Sequence, residues 1–176
     1  MSIEERVKTA IRDVPDFPKP GIMFKDITPI LQDAGLCRDI VKHMSDMFRN
    51  DNIQGIAGIE SRGFIFGQAL AMEMNVPFIP IRKKGKLPYH KVSYSYDLEY
   101  GSAEIEMHID AVSEGQRVLV HDDLLATGGT AAAASELIVG QKAVVAGFNF
   151  IVDLSFLNGS SAISQYSENI TTLVRY

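Results

Sequence analysis

Apolar residues recur along the chain in two alternating patterns, one typical of amphipathic helices and one typical of short buried strands. Helical spacing covers residues 3–14, a segment from a predicted Asp33 cap to about residue 50, residues 63–75, and the alanine-rich segment that continues to residue 139. Compact apolar runs at 53–59, 76–81, 118–120, 143–152 and 170–174 predict strands. Strands that alternate with helices favour an α/β fold, in which a mostly parallel central sheet is flanked by helices on both faces.

Two segments interrupt this alternation. Pro15, Pro18 and Pro20 with Gly21 predict irregular backbone over residues 16–21. Residues 83–95 are polar and show no periodicity, so they predict a flexible loop, after which residues 96–107 divide at Gly101 into two strand-like pieces. The sequence shows no internal repeat or linker, and we expect residues 1–176 to form a single domain.

Composition and charge narrow the class of protein. A chain of 176 residues with 46% hydrophobic and 22% charged residues is typical of a soluble globular protein. No apolar run is long enough for a membrane span, and the acidic, helical N-terminal segment does not resemble a signal peptide. A net charge of −5 argues against a nucleic-acid partner. The one cysteine, Cys37, excludes an internal disulfide and is interpreted as a small apolar helix residue; we expect a cytoplasmic protein.

The most informative stretch is VLVHDDLLATGGT, at residues 118–130. Two acids, Asp122 and Asp123, follow the apolar strand residues, and a glycine- and threonine-rich turn then enters a helix. Ligands of open α/β sheets bind outside the carboxyl ends of the strands, and a helix N-terminus suits a phosphate. The P-loop and dinucleotide fingerprints are both absent. Carboxylates beside a phosphate site suit sugar hydroxyls, so the stretch predicts a sugar-phosphate ligand.

Further charged residues follow two other strands. Arg62, in the segment ESRGF, is expected at the same edge of the sheet and suits an oxyanion, although a solvated surface role is also open. Four cations open the predicted loop and would clamp a polyanion or form a solvated surface: Arg82, Lys83, Lys84 and Lys86. Glu99 is a candidate for proton transfer or a plain strand residue.

These segments together resemble the adenine phosphoribosyltransferases, a branch of the type I phosphoribosyltransferases. FPKPGIMFKDITPIL (17–31), ESRGF (60–64), IRKKGKLP (81–88), YDLEYG (96–101) and the 118–130 stretch occur in that family's order. The resemblance implies the type I fold with a small N-terminal hood at about residues 15–31. It also implies transfer of a phosphoribosyl group from phosphoribosyl diphosphate (PRPP) to adenine, which gives AMP and diphosphate, in a magnesium-dependent homodimer.

The resemblance also implies a role for each matched residue. The 5′-phosphate would lie on the turn formed by Ala126, Thr127, Gly128, Gly129 and Thr130, and the ribose hydroxyls on Asp122 and Asp123. Diphosphate would meet Arg62, Arg82, Lys83 and Lys86, beside a strained Glu60–Ser61 peptide for which the resemblance allows a cis bond. In the hood, Phe24 would stack on adenine while Met23 and Lys25 read its edge through backbone groups. Glu99 and Arg62 would be the catalytic residues, and Mg²⁺ would be carried by the substrate.

The choice of base depends on Ala126. The similar hypoxanthine-guanine enzymes place an acid just before the Thr-Gly of this turn, where it serves the purine N7; alanine here favours adenine and moves the proton role to Glu99. Two alternatives remain open, a sibling enzyme for xanthine or a pyrimidine, and a PRPP-sensing regulatory protein. His121 departs from the family's aliphatic or acidic residue and is interpreted as a packed histidine. His90 is expected to be exposed, with a contact to diphosphate as the alternative.

Overall fold

The computed structural model describes residues 1–97 and 101–176. The helices are α1 (Ile3–Ala10), α2 (Ala34–Met47), α3 (Gly63–Met74), α4 (Gly129–Gly140) and α5 (Gly159–Ile163). The strands are β1 (Arg12–Pro15), β2 (Met23–Asp26), β3 (Gly55–Ile59), β4 (Phe78–Lys83), β5 (Lys91–Asp97), β6 (Ser102–His108), β7 (Arg117–Leu125), β8 (Val144–Asp153) and β9 (Ile170–Arg175). Short 3-10 turns lie at Thr28–Gln32 and Ser155–Leu157.

Seven strands form the central sheet, in the order β5-β6-β4-β3-β7-β8-β9. The five strands from β4 to β9 in that order are parallel, whereas β5 and β6 form an antiparallel hairpin at one edge. The predicted α/β class with a mostly parallel sheet is therefore confirmed. Parallel strands place their carboxyl ends at one edge, and this edge carries the chemistry described below.

The sheet is buried on both faces by two apolar clusters. Alternate residues of β7 point to opposite sides, so Leu119 packs with α2 and α3 while Val118 and Val120 pack against α4. This two-sided burial explains why β3, most of β8 and the first half of β7 are continuous apolar runs rather than alternating ones. Within the described residues, every helix is too short or too polar to cross a bilayer.

The predicted first helix was too long. It ends at Ala10, and residues Arg12–Pro15 instead pair as β1 with β2 in an antiparallel hairpin. Pro15 disfavours helical backbone at Val14, which pairs with Phe24 across the hairpin. The predicted Asp33 cap is confirmed, because the Asp33 side chain accepts a hydrogen bond from the Leu36 N–H at 2.9 Å at the start of α2.

The predicted loop over residues 83–95 was also too long. Its second half is β5, which pairs with β6 in register from Lys91↔His108 to Asp97↔Ser102. Polar residues such as Ser93 and Ser95 conceal this strand because one face of the hairpin is exposed. The motif strand was predicted too short, because β7 continues through both acids to Leu125 while it pairs with β8.

Candidate active site

Two neighbouring parallel strands bring the predicted site segments together. Strand β3 pairs with β7 through Gly58↔His121, so the segment that follows β3 lies beside Asp122 and Asp123. The Glu60–Ser61 peptide bond is cis, as the resemblance implied, and Arg62 occupies the N-cap position of α3 directly afterwards. The tertiary arrangement therefore places Arg62 and the two acids at the same sheet edge.

The turn at residues 126–130 encloses a small cavity of about 80 Å³. Gly128 precedes α4 with φ of 83° and, in the part of the chain that the structure describes, no side chain caps this helix. The N–H groups of the first turn of α4 are therefore available to an anion, which the helix dipole also favours. Residues Asp122, Thr127, Gly129 and Thr130 line the cavity, together with others of the same stretch.

The start of α5 supports this turn from outside, and the sequence did not reveal it. A Cβ atom added at Gly128 would lie 2.4 Å from the Gly159 carbonyl oxygen, and one added at Gly159 would lie 2.2 Å from the Ala126 carbonyl oxygen. The two backbones touch, so both positions require glycine. In the sequence, the Asn158-Gly159 pair indicates only a turn, whereas in the fold the absence of side chains at Gly128 and Gly159 allows the close backbone contact.

The two acids differ in their partners. Asp123 is buried and accepts a hydrogen bond from Arg62 Nε at 2.6 Å, whereas Asp122 Oδ1 accepts from the Asp123 backbone N–H at 2.8 Å. Burial, followed by the neighbouring negative charge of Asp123, raises the pKa of Asp122 well above its usual value. Arg62 partly offsets this effect. Asp122 is thus a carboxyl group that favours a proton or a hydrogen-bond donor such as a sugar hydroxyl.

Arg62 connects the acids to the N-terminal hairpin. Its guanidinium carbon lies 5.5 Å from the centre of the Phe24 ring while its Nε binds Asp123. Phe24 also contacts the exposed Phe17 edge-to-face, with ring centres 5.1 Å apart. In this structure Arg62 contacts Asp123 and Phe24, which belong to the predicted ribose and base sites, and its predicted contact with diphosphate stays a prediction.

Among the cations at the start of the predicted loop, Arg82 and Lys84 each bind a carboxylate. Arg82 binds Glu60 through two nitrogens at 3.2 Å each, and its third contact is the Lys86 carbonyl oxygen at 3.1 Å. Burial opposes ionisation of Glu60, but hydrogen bonds from Arg82 and the Lys83 N–H outweigh it and lower the pKa of Glu60. Lys84 pairs with Glu104 at 2.6 Å. Arg82 therefore holds the start of the loop, while Lys83 lines the adjacent cavity.

That larger cavity, of about 410 Å³, adjoins the small one. Asp122 and Thr130 line both cavities, and the larger one also contains Glu60, Arg82, Lys83 and Tyr96. An elongated anion could therefore place one end on the turn at 126–130 and the other beside the basic segment. Tyr96 was not among the predicted site residues; its hydroxyl lies 3.1 Å from Thr130 Oγ1.

The predicted base-binding residues lie on β2. Met23 is exposed, Phe24 is half-buried, and the Lys25 side chain reaches across the hairpin to Asp13, whose carboxylate lies 2.6 Å from its Nζ. The Tyr176 ring centre lies 3.8 Å from the same Nζ. Lys25 thus anchors β2 with its side chain, which leaves only its backbone for a base.

The remaining predicted residues have separate outcomes. Glu99 lies outside the described residues. His121 is buried, its Nδ1 is 2.9 Å from Asn149 Oδ1, and burial lowers its pKa to about 4, which agrees with a packed histidine. Asn149 continues the network to Thr171 at 2.9 Å. His90 is exposed beside Tyr89, with ring centres 4.8 Å apart.

Comparison with known proteins agrees with this geometry. The family model described as "Phosphoribosyl transferase domain" matches residues 26–154. An adenine phosphoribosyltransferase of Cytophaga hutchinsonii is 50% identical over 174 residues, which are 99% of this chain and 96% of that protein. This chain belongs to the adenine phosphoribosyltransferase family. The resemblance found in the sequence is therefore confirmed over nearly its whole length.

Solved structures of the adenine phosphoribosyltransferase family share the fold. The crystal structure of the Thermoanaerobacter pseudethanolicus protein superposes with a TM-score of 0.94 at 44% identity, over 98% of this chain and 99% of that one. The Saccharomyces cerevisiae protein, solved in complex with D-2,5-dideoxy-2,5-imino-altritol 1,6-bisphosphate and adenine, has a TM-score of 0.91 at 38% identity, over 98% of each chain. The type I phosphoribosyltransferase fold is thus common to all three.

Proposed function

We propose that this chain transfers the 5-phosphoribosyl group of PRPP to adenine and releases AMP and diphosphate. The observation that supports the reaction best is the pair of adjoining cavities that share Asp122 and Thr130. PRPP carries a phosphate at one end of its ribose and a diphosphate at the other. The small cavity matches the 5′-phosphate, the larger cavity, which Lys83 lines, matches the diphosphate, and Asp122, which lines both cavities, matches the ribose hydroxyls together with Asp123.

The proposed mechanism assigns the chain's residues to two tasks. The first is to fix PRPP: the N–H groups around Gly129 and the Thr130 hydroxyl hold the 5′-phosphate, and Asp122 with Asp123 holds the ribose. The ribose hydroxyls and Arg62 would bind the same Asp123 carboxylate, which accepts a hydrogen bond from Arg62 Nε at 2.6 Å in this structure. Released from Asp123, Arg62 can turn its fork toward the departing diphosphate.

The second task is to support charge as the C–O bond to diphosphate breaks. Positive charge develops on the ribosyl ring and negative charge on the leaving group, which Lys83 and Lys86 would neutralise, while Arg82 maintains the loop through Glu60. We assign proton exchange at the purine N7 to Glu99, which follows β5 by two residues. Mg²⁺ would enter with PRPP as part of the substrate, since it is commonly bound through substrate phosphates and water.

The N-terminal hairpin is the proposed base site. Phe24 lies within 5.5 Å of Arg62, so a purine stacked on Phe24 would lie near the reacting carbon of a ribose held by the acids. The backbone groups of Met23 and Lys25 would read the purine edge. Adenine and AMP are the expected ligands, since Ala126 supplies no acid for a 6-oxopurine.

A base panel tests this function directly. Purified protein with PRPP and Mg²⁺ should form AMP from adenine and should form no nucleotide from hypoxanthine, guanine, xanthine or a pyrimidine base. Chelation of Mg²⁺ should abolish turnover, and its addition should restore it. A Glu99→Gln variant should lose kcat by about 100-fold or more while PRPP affinity stays close to wild type. Turnover with a different base, or with none, would contradict the proposal.

We further propose that the protein works as a cytoplasmic homodimer of single-domain subunits. An exposed apolar stripe on α3, formed by Ile65 and Met72, adjoins a cavity of about 410 Å³ between α2 and α3. Apolar surface of this kind is typical of subunit interfaces. Met72→Glu should shift the sedimentation coefficient toward that of a monomer, whereas Ile109→Glu, at an exposed apolar position outside α2 and α3, should not.

A further inference from the structure

Tyr96 covers the first turn of the phosphate-binding helix with both its ring and its hydroxyl. The hydroxyl lies 3.1 Å from Thr130 Oγ1, although the two residues are 34 positions apart in sequence. The ring lies over Gly129, since a Cβ added there would be 3.8 Å from Tyr96 Cδ2. The hairpin strand β5 is thereby attached to the N-terminus of α4.

The two residues differ in which cavity they reach. Thr130 lines both the small cavity on the turn and the larger cavity, whereas Tyr96 lines only the larger one. An anion in the small cavity would meet Thr130 directly and Tyr96 only through Thr130. Tyr96 is therefore suited to orient the threonine rather than to bind the anion itself.

We propose that Tyr96 is a positioning residue for the 5′-phosphate of the substrate, an inference that rests on the proposed function. A phosphate dianion only accepts hydrogen bonds, so Thr130 must donate its one hydroxyl hydrogen to the phosphate. Its oxygen is then free to accept from Tyr96, and the 3.1 Å contact has a defined direction. Such a chain of hydrogen bonds strengthens each member and holds the threonine side chain in one rotamer.

The same bond would link phosphate binding to the hairpin that carries Glu99. Tyr96 is the penultimate residue of β5 and precedes Glu99 by three positions. A phosphate that orders Thr130 would also favour the position of Tyr96 over α4. The proposed role of Tyr96 thus concerns the phosphate at the opposite end of PRPP from the leaving diphosphate, although its ring also lines the larger cavity proposed for the diphosphate.

The test is Tyr96→Phe, which keeps the ring over Gly129 and removes only the hydroxyl. The dissociation constant of ribose 5-phosphate, measured by calorimetry, should rise about three- to tenfold, as expected for one lost hydrogen bond. The KM for PRPP should rise by a similar factor, while the dissociation constant of diphosphate and the KM for adenine should not change. Tyr94→Phe, two residues earlier on β5 at an exposed position, is the matched control and should behave as wild type.

A double-mutant cycle with Thr130→Val separates positioning from packing. With no threonine hydroxyl to orient, Tyr96→Phe should have no further effect on ribose 5-phosphate. Unchanged ribose 5-phosphate affinity in Tyr96→Phe, an equal loss for diphosphate, or fully additive effects in the double variant would each overturn the proposal. If wild type formed no AMP while Tyr96→Phe still weakened ribose 5-phosphate, the proposed function would fail and the positioning role would stand.

Discussion

Gly128→Ala tests whether the phosphate turn depends on backbone contact with α5. Gly128 has φ of 83°, which costs a residue with a side chain about 1–2 kcal/mol. The added Cβ would also lie 2.4 Å from the Gly159 carbonyl oxygen, and relief of such overpacking costs about 1–3 kcal/mol. We therefore expect the free energy of unfolding to fall by about 2–5 kcal/mol and, for a chain of this size, Tm by roughly 4–20 °C.

Activity should fall as well, because the turn must move to relieve the contact. A displacement of about 1 Å in groups that position a substrate can cost about 100-fold in rate, so kcat/KM for PRPP should fall by about that factor. Differential scanning calorimetry gives Tm, and initial rates of AMP formation give kcat/KM. Phosphate titration should show weaker binding to the variant than to wild type.

Gly140→Ala is the matched control in the same helix. A Cβ added at Gly140, the exposed last residue of α4, meets no atom within 4 Å. This variant should gain up to about 1 kcal/mol from helix propensity and keep full activity. If Gly128→Ala instead unfolded at the wild-type temperature with unchanged kcat/KM, the reasoning from backbone contact would be refuted.

Three further predictions concern the neighbouring residues. Burial lowers the pKa of His121 from 6.5 to about 4, so its contribution to the free energy of unfolding should be constant above pH 6.5 and fall by about 3 kcal/mol as the pH drops toward 4. In urea titrations, His121→Val should remove this pH dependence, and an unchanged dependence would assign it to other groups. Because the pKa of Asp122 is raised, its ionised form destabilises the fold at neutral pH. Asp122→Asn should therefore raise the free energy of unfolding at pH 7 by about 0.5–2 kcal/mol while PRPP turnover falls, and a variant less stable than wild type would contradict this reasoning. Tyr176→Leu removes the ring whose centre lies 3.8 Å from Lys25 Nζ, and it should raise the KM for adenine about three- to tenfold without changing the KM for PRPP, whereas Tyr176→Phe keeps the ring and should match wild type. Equal changes in both KM values would argue that the Tyr176–Lys25 contact does not act specifically on the N-terminal hairpin.

Much of the fold and the contiguous part of the site could be predicted from the sequence. The phosphate turn, from Ala126 to Thr130, lies within five residues, and its strand and helix neighbours show their own local periodicity. The α/β class follows from the same alternation. The predictions failed where pairing across the sheet overrides local pattern, as in the N-terminal hairpin and in β5, whose exposed polar face resembles a loop.

The partners of the charged residues could not be predicted in this way. Arg62 binds Asp123, 61 positions away, and Arg82 binds Glu60, 22 positions away, and the sequence indicated neither contact. Their expected contacts with diphosphate stay predictions. A guanidinium group binds a carboxylate that the fold places within its reach. The distance between the two groups depends on the tertiary structure, and the sequence pattern does not give it.

By itself, the sequence indicated the layered α/β architecture, because helix and strand periodicity depends on neighbours a few positions apart. Five matched segments indicated the family, and the residues of the phosphate turn stay a prediction from that resemblance. The tertiary structure alone decided that Gly159 supports the turn, that Tyr96 reaches Thr130, and that Tyr176 and Asp13 hold Lys25. These contacts join segments distant in sequence, and they form because burial of the sheet on both faces fixes where the strand and helix ends meet.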